Sequence, residues 1–179
     1  MNPNINNMLT FQLDLKNFDP AHHQHFVDRA RELHYQFFFL SEAADSSENR
    51  KMLYDLVREG VLTSPQNDGT FETYDEFMTN LYHLYYRDVG DSHVIAEIDG
   101  EWVGLTSIAV DTQTGVGKCG LTAVRKSRQN QGLAKALKVI SLTRAKGQGA
   151  KVVLTNNHSA NHAMIRVNRT FGFEQGTGN

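Results

Sequence analysis

A short polar segment, Gln129 to Ala134, stands directly before an amphipathic stretch and has the composition of an anion site. The first N–H groups of a helix have no acceptor within the helix and lie at the positive end of its dipole. Gly132 and Ala134 are small enough to let a phosphate approach the backbone. The segment therefore predicts a phosphate or pyrophosphate site, although an ordinary strand-to-helix turn can have the same composition.

A second group of polar residues lies downstream at regular spacing. It reads Asn161-x-x-Met164-x-x-x-Asn168 and ends in Gly172-Phe173. One amphipathic helix and one short apolar strand separate it from the first segment. Taken in this order, Gln129-x-x-Gly132-x-Ala134 and the Asn161 to Phe173 pattern resemble the two cofactor-binding motifs of the GNAT superfamily of acetyltransferases.

The resemblance is specific over residues 118–174 and weaker over residues 93–110, where Trp102-Val103-Gly104 is similar to the superfamily's central hairpin. Thr155-Asn156-Asn157 resembles the Thr-x-Asn segment of tandem-type members, which often carry two GNAT modules. The resemblance to the superfamily implies an α/β (α+β) fold of three layers. In this fold a mixed, mostly antiparallel sheet is flanked by helices and splays open into a cofactor cleft. Acetyl-CoA is the implied co-substrate, with no metal.

The resemblance also implies which residues contact the cofactor. The pantetheine arm would lie along the strand that ends at Val124, and the pyrophosphate would bind the following loop. The implied cofactor-binding residues are Ala123, Val124, Gln129, Asn130, Gln131, Gly132, Leu133, Ala134, Asn157, Asn161 and Asn168.

The catalytic groups are less well defined by the sequence. The backbone N–H of Val124 is the candidate donor to the oxyanion of the reaction. The strand from 118 to 124 has no carboxylate, so Glu97 and Asp111 are the nearest candidate bases, although each is more often a solvated hairpin residue. Many members have a tyrosine acid at the position of Asn168. Because an amide has no acidic proton to give, Asn168 could only hydrogen-bond the sulfur or the pantetheine.

Hydrophobic periodicity and turn residues predict the elements that would position these groups. The predicted strands cover 9–15, 35–40, 93–98, 101–110, 118–124 and 152–154, and the predicted helices cover 19–33, 46–60, 73–86, 133–146 and 159–171. Asp99-Gly100 is typical of a tight hairpin turn. Thr73 and Glu76 have the spacing of a capping box.

The N-terminal segment has apolar positions that the resemblance leaves unexplained. We interpret residues 1–18 as an extension or strand and residues 19–179 as the acetyltransferase-like domain. Few residues follow Phe173, so the strand at 152–155 would have an open edge, and such edges are normally covered. Residues 9–15 are the expected cover, from the same chain or from a second subunit in a homodimer.

Composition excludes several classes of function. The 18 Lys and Arg residues against 20 Asp and Glu residues give a formal charge of −2, with no dense basic block for nucleic acid. No apolar stretch reaches the length of a membrane span or resembles a secretory signal. The single cysteine, Cys119, cannot form an intrachain disulfide, which favours a cytoplasmic location.

Two functions are consistent with these observations. The first is an N-acetyltransferase that moves an acetyl group from acetyl-CoA to an amine of a small molecule or peptide by direct attack. The second is a catalytically silent module that binds acetyl-CoA or a partner. Neither the missing tyrosine nor the missing carboxylate decides between them.

Overall fold

The computed structural model describes residues 7–65 and 67–176. Its strands are β1 Met8–Asp14, β2 Gln36–Phe39, β3 His93–Ile98, β4 Glu101–Asp111, β5 Val116–Val124, β6 Val152–His158 and β7 Glu174–Gln175. Its helices are α1 Pro20–Glu32, α2 Ser47–Leu62, α3 Tyr74–Phe77, which continues as a π-helix over Met78–Arg87, α4 Leu133–Gly147 and α5 His162–Thr170. No helix in these ranges is long and apolar enough to cross a membrane.

The seven strands form one sheet in the order β2-β3-β4-β5-β6-β1-β7. All neighbours are antiparallel except β5 and β6, which are parallel. The N-terminal strand β1 lies inside this sheet, where it pairs with the whole of β6 from Met8 opposite His158 to Asp14 opposite Val152. The expectation that residues 9–15 cover β6 is confirmed within a single chain.

Helices cover both faces of the sheet, so the predicted mixed sheet flanked by helices is confirmed. On one face α1 and α4 enclose an apolar core that includes Phe11, Leu137 and Val153. On the other face α2 and the π-helix enclose a second core around Trp102, Leu56 and Phe77. Burial of these side chains from water is the main term that stabilises the two layers.

Beyond the longer β6 and the short β7, two elements differ from the sequence expectation. The strand predicted at 35–40 is the edge strand β2, and its phenylalanines are only half-buried, since β3 is its one neighbour in the sheet. The helix predicted at 73–86 begins at the Thr73–Glu76 capping box but becomes a π-helix after Phe77. The wider turn brings Tyr82, five residues on, within 6.4 Å of the Phe77 ring centroid.

The Asp99-Gly100 turn is confirmed. Both residues have positive φ angles, of 54° and 79°, as a two-residue hairpin between twisted strands requires. This hairpin places β4 beside β3 and so holds β5 against the middle of the sheet.

Candidate active site

The two parallel strands at the centre of the sheet separate along their length. Their pairing runs only from Val116 opposite Val152 to Lys118 opposite Leu154. Beyond this point β5 carries an extra residue relative to β4, since Thr106 is opposite Thr122 whereas Ile108 is opposite Cys119. Such a bulge bends and twists a strand. The C-terminal halves of β5 and β6 therefore form the walls of an open cleft.

On the edge of β5 that faces this cleft, the backbone N–H of Val124 has no partner in the described part of the sheet. The Arg125 N–H donates to the Val103 carbonyl at 2.9 Å, so Arg125 points its backbone groups towards β4. Backbone N–H and C=O groups of successive residues point to opposite edges of a strand, so those of Val124 must point towards the cleft. Its carbonyl accepts from the Gln129 amide at 3.1 Å on that side. Ala123, in contrast, turns its backbone groups towards Leu105, and its side chain faces Gly60 of α2.

The predicted anion loop closes one end of the cleft. Asn130 and Gly132 have positive φ angles of 62° and 84°, which turn successive N–H groups towards the same side. Gly132 is the N-cap of α4 and supplies no capping side chain. The first N–H of the helix with an internal acceptor is that of Lys135, 2.9 Å from the Gly132 oxygen. The N–H groups of Leu133 and Ala134 are therefore available to a ligand.

Side chains from distant segments fix this loop in place. Glu59, near the end of α2, accepts from Arg125 Nη1 at 2.9 Å and from the Lys126 backbone N–H at 2.7 Å. The buried Tyr35 hydroxyl donates to Gln131 Oε1 at 2.6 Å. The segment from Arg125 to Gln131, which leads into the anion loop, is thus held at both of its ends without a ligand.

The cleft has a volume of about 1380 Å³, and its lining is strongly cationic. Its basic residues are Arg29, Lys126, Arg128, Lys135, Lys138, Arg166 and Arg169. Within the described ranges 7–65 and 67–176, no aspartate or glutamate lines it. The sequence showed no dense basic block because α1, the loop, α4 and α5 each contribute one or two of these cations. The field therefore arises from the fold, and it suits a ligand with several phosphate groups.

The asparagines predicted downstream of the anion loop do not all lie at the cleft. Asn157 on β6 and Asn161 before α5 line the cleft. Asn161 caps α5 by accepting from the Met164 N–H at 3.2 Å. Asn168 does not line the cleft, because its side chain is fully buried behind Asn157 and donates to Asn157 Oδ1 at 2.8 Å. In this structure the Asn168 amide therefore contacts Asn157 and is not exposed to the cleft.

The two candidate carboxylates lie away from the cleft. Glu97 is on β3, opposite Trp102 and two strands from β5. Asp111 is opposite Val116, at the closed end of β5 and roughly 26 Å from Val124 at strand spacing. Hydrogen bonds from Thr114 and Gln113 lower the pKa of Asp111, which makes it a weaker base. In the described ranges no three His, Cys, Asp or Glu side chains form a group that could hold a metal ion.

Comparison with known proteins gives consistent matches. Residues 54–173 match the acetyltransferase (GNAT) family. A mycothiol acetyltransferase from Streptomyces avermitilis is 34% identical over 79 residues, which are 44% of this chain and 26% of that protein. A GCN5-related N-acetyltransferase from Sphaerobacter thermophilus has a TM-score of 0.64 at 16% identity and covers 94% of this chain.

A third protein similar in fold was solved with its ligands. The diaminobutyrate acetyltransferase from Paenibacillus lautus, in complex with L-2,4-diaminobutyric acid and coenzyme A, has a TM-score of 0.57 at 20% identity, covering 76% of this chain and 74% of that one. The chain spans 48% of the Sphaerobacter protein and, in the matched segment, about a quarter of the Streptomyces protein.

Proposed function

The chain belongs to the acetyltransferase (GNAT) family, and we propose that it transfers the acetyl group of acetyl-CoA to an amine of a small molecule or peptide. One observation carries the proposal. The cleft between β5 and β6 combines an extended backbone edge, an uncapped helix N-terminus and an exclusively cationic set of charged side chains, with no acidic one among the described residues. Coenzyme A has the matching parts, namely an extended pantetheine arm and several phosphate groups.

The pyrophosphate would lie against the N–H groups at the start of α4. There it would receive hydrogen bonds from the loop between Gln129 and Ala134 and the favourable field of the helix dipole. The cations Lys126, Arg128 and Lys135 surround this end of the cleft. The pantetheine would extend along β5 towards the point where β5 and β6 meet, with the Asn157 and Asn161 side chains on the opposite wall.

The Val124 N–H, the candidate oxyanion donor, would then contact the pantetheine where it enters the cleft, because at strand spacing it lies about 16 Å from Cys119, next to the point where β5 and β6 meet. At that point an amine attacks the carbonyl carbon, the oxygen becomes negative, and a backbone N–H on the free edge of β5 would stabilise the charge without reorganisation. Because no carboxylate of the described chain lines the cleft, the proposed acceptor of the amine's proton, before or during the attack, is solvent. Acceptors with an appreciable neutral fraction should therefore react fastest.

Release of free CoA from acetyl-CoA tests the proposal directly. The acceptor panel should contain L-2,4-diaminobutyrate, an amino sugar and a peptide with a free N-terminal amine, since these differ in size and amine pKa. Amine-dependent release of CoA with formation of the N-acetyl product is the expected result. Tight binding of acetyl-CoA without release for any amine would instead support the catalytically silent module, and no binding would overturn both.

A further inference from the structure

A lysine is buried at the inner end of the cleft without an acidic partner. Lys138 is 1% exposed and lies on α4, one turn beyond Ala134 and on the same side of the helix. Its Nζ is 3.5 Å from Cys119 Sγ and 6.0 Å from the Phe173 ring centroid. No ion pair joins it to a carboxylate of the described chain.

This arrangement leaves a buried ammonium poorly compensated. A charge removed from water requires a counter-charge or several hydrogen bonds, and a thiol sulfur is only a weak acceptor. A structural role would be served better by a leucine or methionine in the same volume, since such replacements of buried charges are often neutral or stabilising. The position of Lys138 is therefore better explained by an anion that arises in the cleft.

The place where this anion would arise follows from the strand geometry. Lys118 opposite Leu154 is the last pair between β5 and β6, and Cys119 is the next residue of β5. Lys138 therefore points to the apex where the two strands meet. The pantetheine arm of acetyl-CoA would enter from the loop before α4 and follow β5. The thioester at the end of this arm would therefore lie at the apex.

Other polar and cationic groups near the cleft are placed less well than Lys138 to stabilise the departing sulfur. Asn168 is buried and engaged with Asn157. No tyrosine of the described ranges lines the cleft, and its other cations lie on exposed or half-exposed positions nearer the opening. Arginine keeps its proton at any relevant pH, whereas a lysine ammonium offers three N–H donors and a compact charge.

We infer that Lys138 is a catalytic residue whose ammonium stabilises the CoA thiolate as it leaves. This rests on the proposed acetyl transfer. The amine nitrogen forms a bond to the carbonyl carbon, the carbon–sulfur bond breaks, and its electron pair stays on sulfur. The amine's proton passes to water. Lys138 donates an N–H of its ammonium to the thiolate and pairs its charge with it, beside Cys119 Sγ, which is 3.5 Å from Nζ in the free protein.

The single cysteine allows a clean test. In a Cys119→Ala background, the only thiol in the complex is that of bound CoA, whose ionisation can be followed by ultraviolet thiolate absorbance. Cys119 Sγ is also the atom that accepts from Lys138 Nζ in the described part of the chain. With Lys138 present, bound CoA should ionise at least one pH unit lower than in Cys119→Ala/Lys138→Met. Equal ionisation in both proteins would overturn the inference.

Two further measurements separate this inference from the proposed function. CoA affinity is determined first by calorimetry, because absent binding would contradict the proposed function, whereas binding with no thiol shift contradicts only the role of Lys138. Lys135→Met is the matched control on the same helix, since Lys135 is half-exposed above the Phe26 ring at 4.9 Å. It should weaken CoA binding several-fold and leave the thiol ionisation unchanged.

Turnover gives an independent readout. For Lys138→Met, kcat with acetyl-CoA should fall at least tenfold while the KM for acetyl-CoA changes less than threefold. The loss of kcat in Lys138→Met should be smaller with an acetyl thioester of a more acidic thiol, because a better leaving group needs less stabilisation. A deficit that is the same for both donors would indicate a structural role and contradict the inference.

Discussion

The two halves of the β5–β6 junction are built from the same strands but serve different purposes. In the closed half, Val116 to Lys118 pair with Val152 to Leu154, and Gly117 lets Ile108 and Val153 approach to within 3.1 Å of where its Cβ would lie. In the open half the two strands are no longer paired. The closed half contributes packing, and the open half contributes free backbone groups and a cationic lining.

In the open half, β6 forms one wall of the cleft and β5 forms the other, and β5 does not hold β6 in place there. From Thr155 to His158, β6 pairs only with β1, which continues opposite it to Met8. On the other wall, β5 is held by β4 and by α2. Each wall of the cleft therefore has its own support. The strand that supports β6 is β1, near the start of the chain.

Removal of β1 should break this arrangement most severely. Deletion of residues 1–18 exposes both the edge of β6 and the core space filled by Phe11, Leu13, Leu15 and Phe18, all at most 3% exposed. At about 1.5–3 kcal/mol for each buried apolar side chain, the loss is comparable with the whole stability of a typical domain. We expect aggregation or loss of the cooperative melting transition.

Deletion of residues 1–6 is the control, since it stops short of β1. Size-exclusion chromatography and thermal melting of both proteins would measure the difference. A monodisperse protein that lacks residues 1–18 but keeps the parent melting temperature would show that β1 does not support β6.

The largest expected effect in the open half comes from Gly132→Glu. Its φ of 84° disfavours any side chain, and the carboxylate would stand where the pyrophosphate is proposed to lie. CoA affinity should fall at least 100-fold in calorimetry. Gly149→Glu is a matched control, because Gly149 follows the other end of α4, has a φ of 89° and has open space around its Cβ position. Equal affinity losses in both variants would contradict the assigned site.

The sequence predicted the elements that depend on local patterns. The Asp99-Gly100 hairpin, the Thr73–Glu76 capping box and the helices from Pro20 and Ser47 follow from turn chemistry and helical spacing, which act over a few residues. The length of β6 and the π-helix after Phe77 were not predicted. Both depend on what packs against them, namely β1 along β6 and the aromatic cluster around Phe77.

The site was predictable where a motif specifies it and not where the fold assembles it. The loop from Gln129 to Ala134 lies at the cleft as expected, because its position before a helix is a local property. Glu59 and Lys138 were missed, since neither has a neighbour in sequence that reveals its partner 66 or 19 residues away. The direction of the Ala123 backbone depends on the β4 register, which the sequence does not show.

A smaller effect is expected at the contact between α2 and the cleft wall. A Cβ on Gly60 would lie 2.3 Å from the Ala123 Cβ, so Gly60→Ala must push α2 away from β5. Overpacking of this kind costs about 1–3 kcal/mol of unfolding free energy. Ala123→Gly removes the opposing atom, and the double variant should recover at least half of the loss in urea unfolding. Additive losses in the double variant would show that the two positions are not coupled.

The smallest predicted effect concerns His93, which lies two strands from the junction on β3. Its ring is buried, and burial lowers the pKa of His93 below the ordinary value of 6.5. The Nδ1 atom is 3.1 Å from the Val89 carbonyl. A group with a lowered pKa in the folded state binds protons better when unfolded, so its contribution to stability is complete above about pH 6.5 and is lost as the pH falls.

His93→Asn keeps a donor for Val89 but removes this titration. Between about pH 7.5 and about pH 5.5, on either side of the ~6.5 of a free imidazole, the wild-type protein should lose more unfolding free energy than the variant. Urea unfolding at both pH values measures this difference, and the subtraction removes the contribution of His23, whose pKa burial also lowers. CoA affinity should show the same pH dependence in both proteins, because His93 does not line the cleft. An affinity profile that changed in the variant would mean that the core and the open half of the junction are coupled, which the separate supports of the two cleft walls argue against.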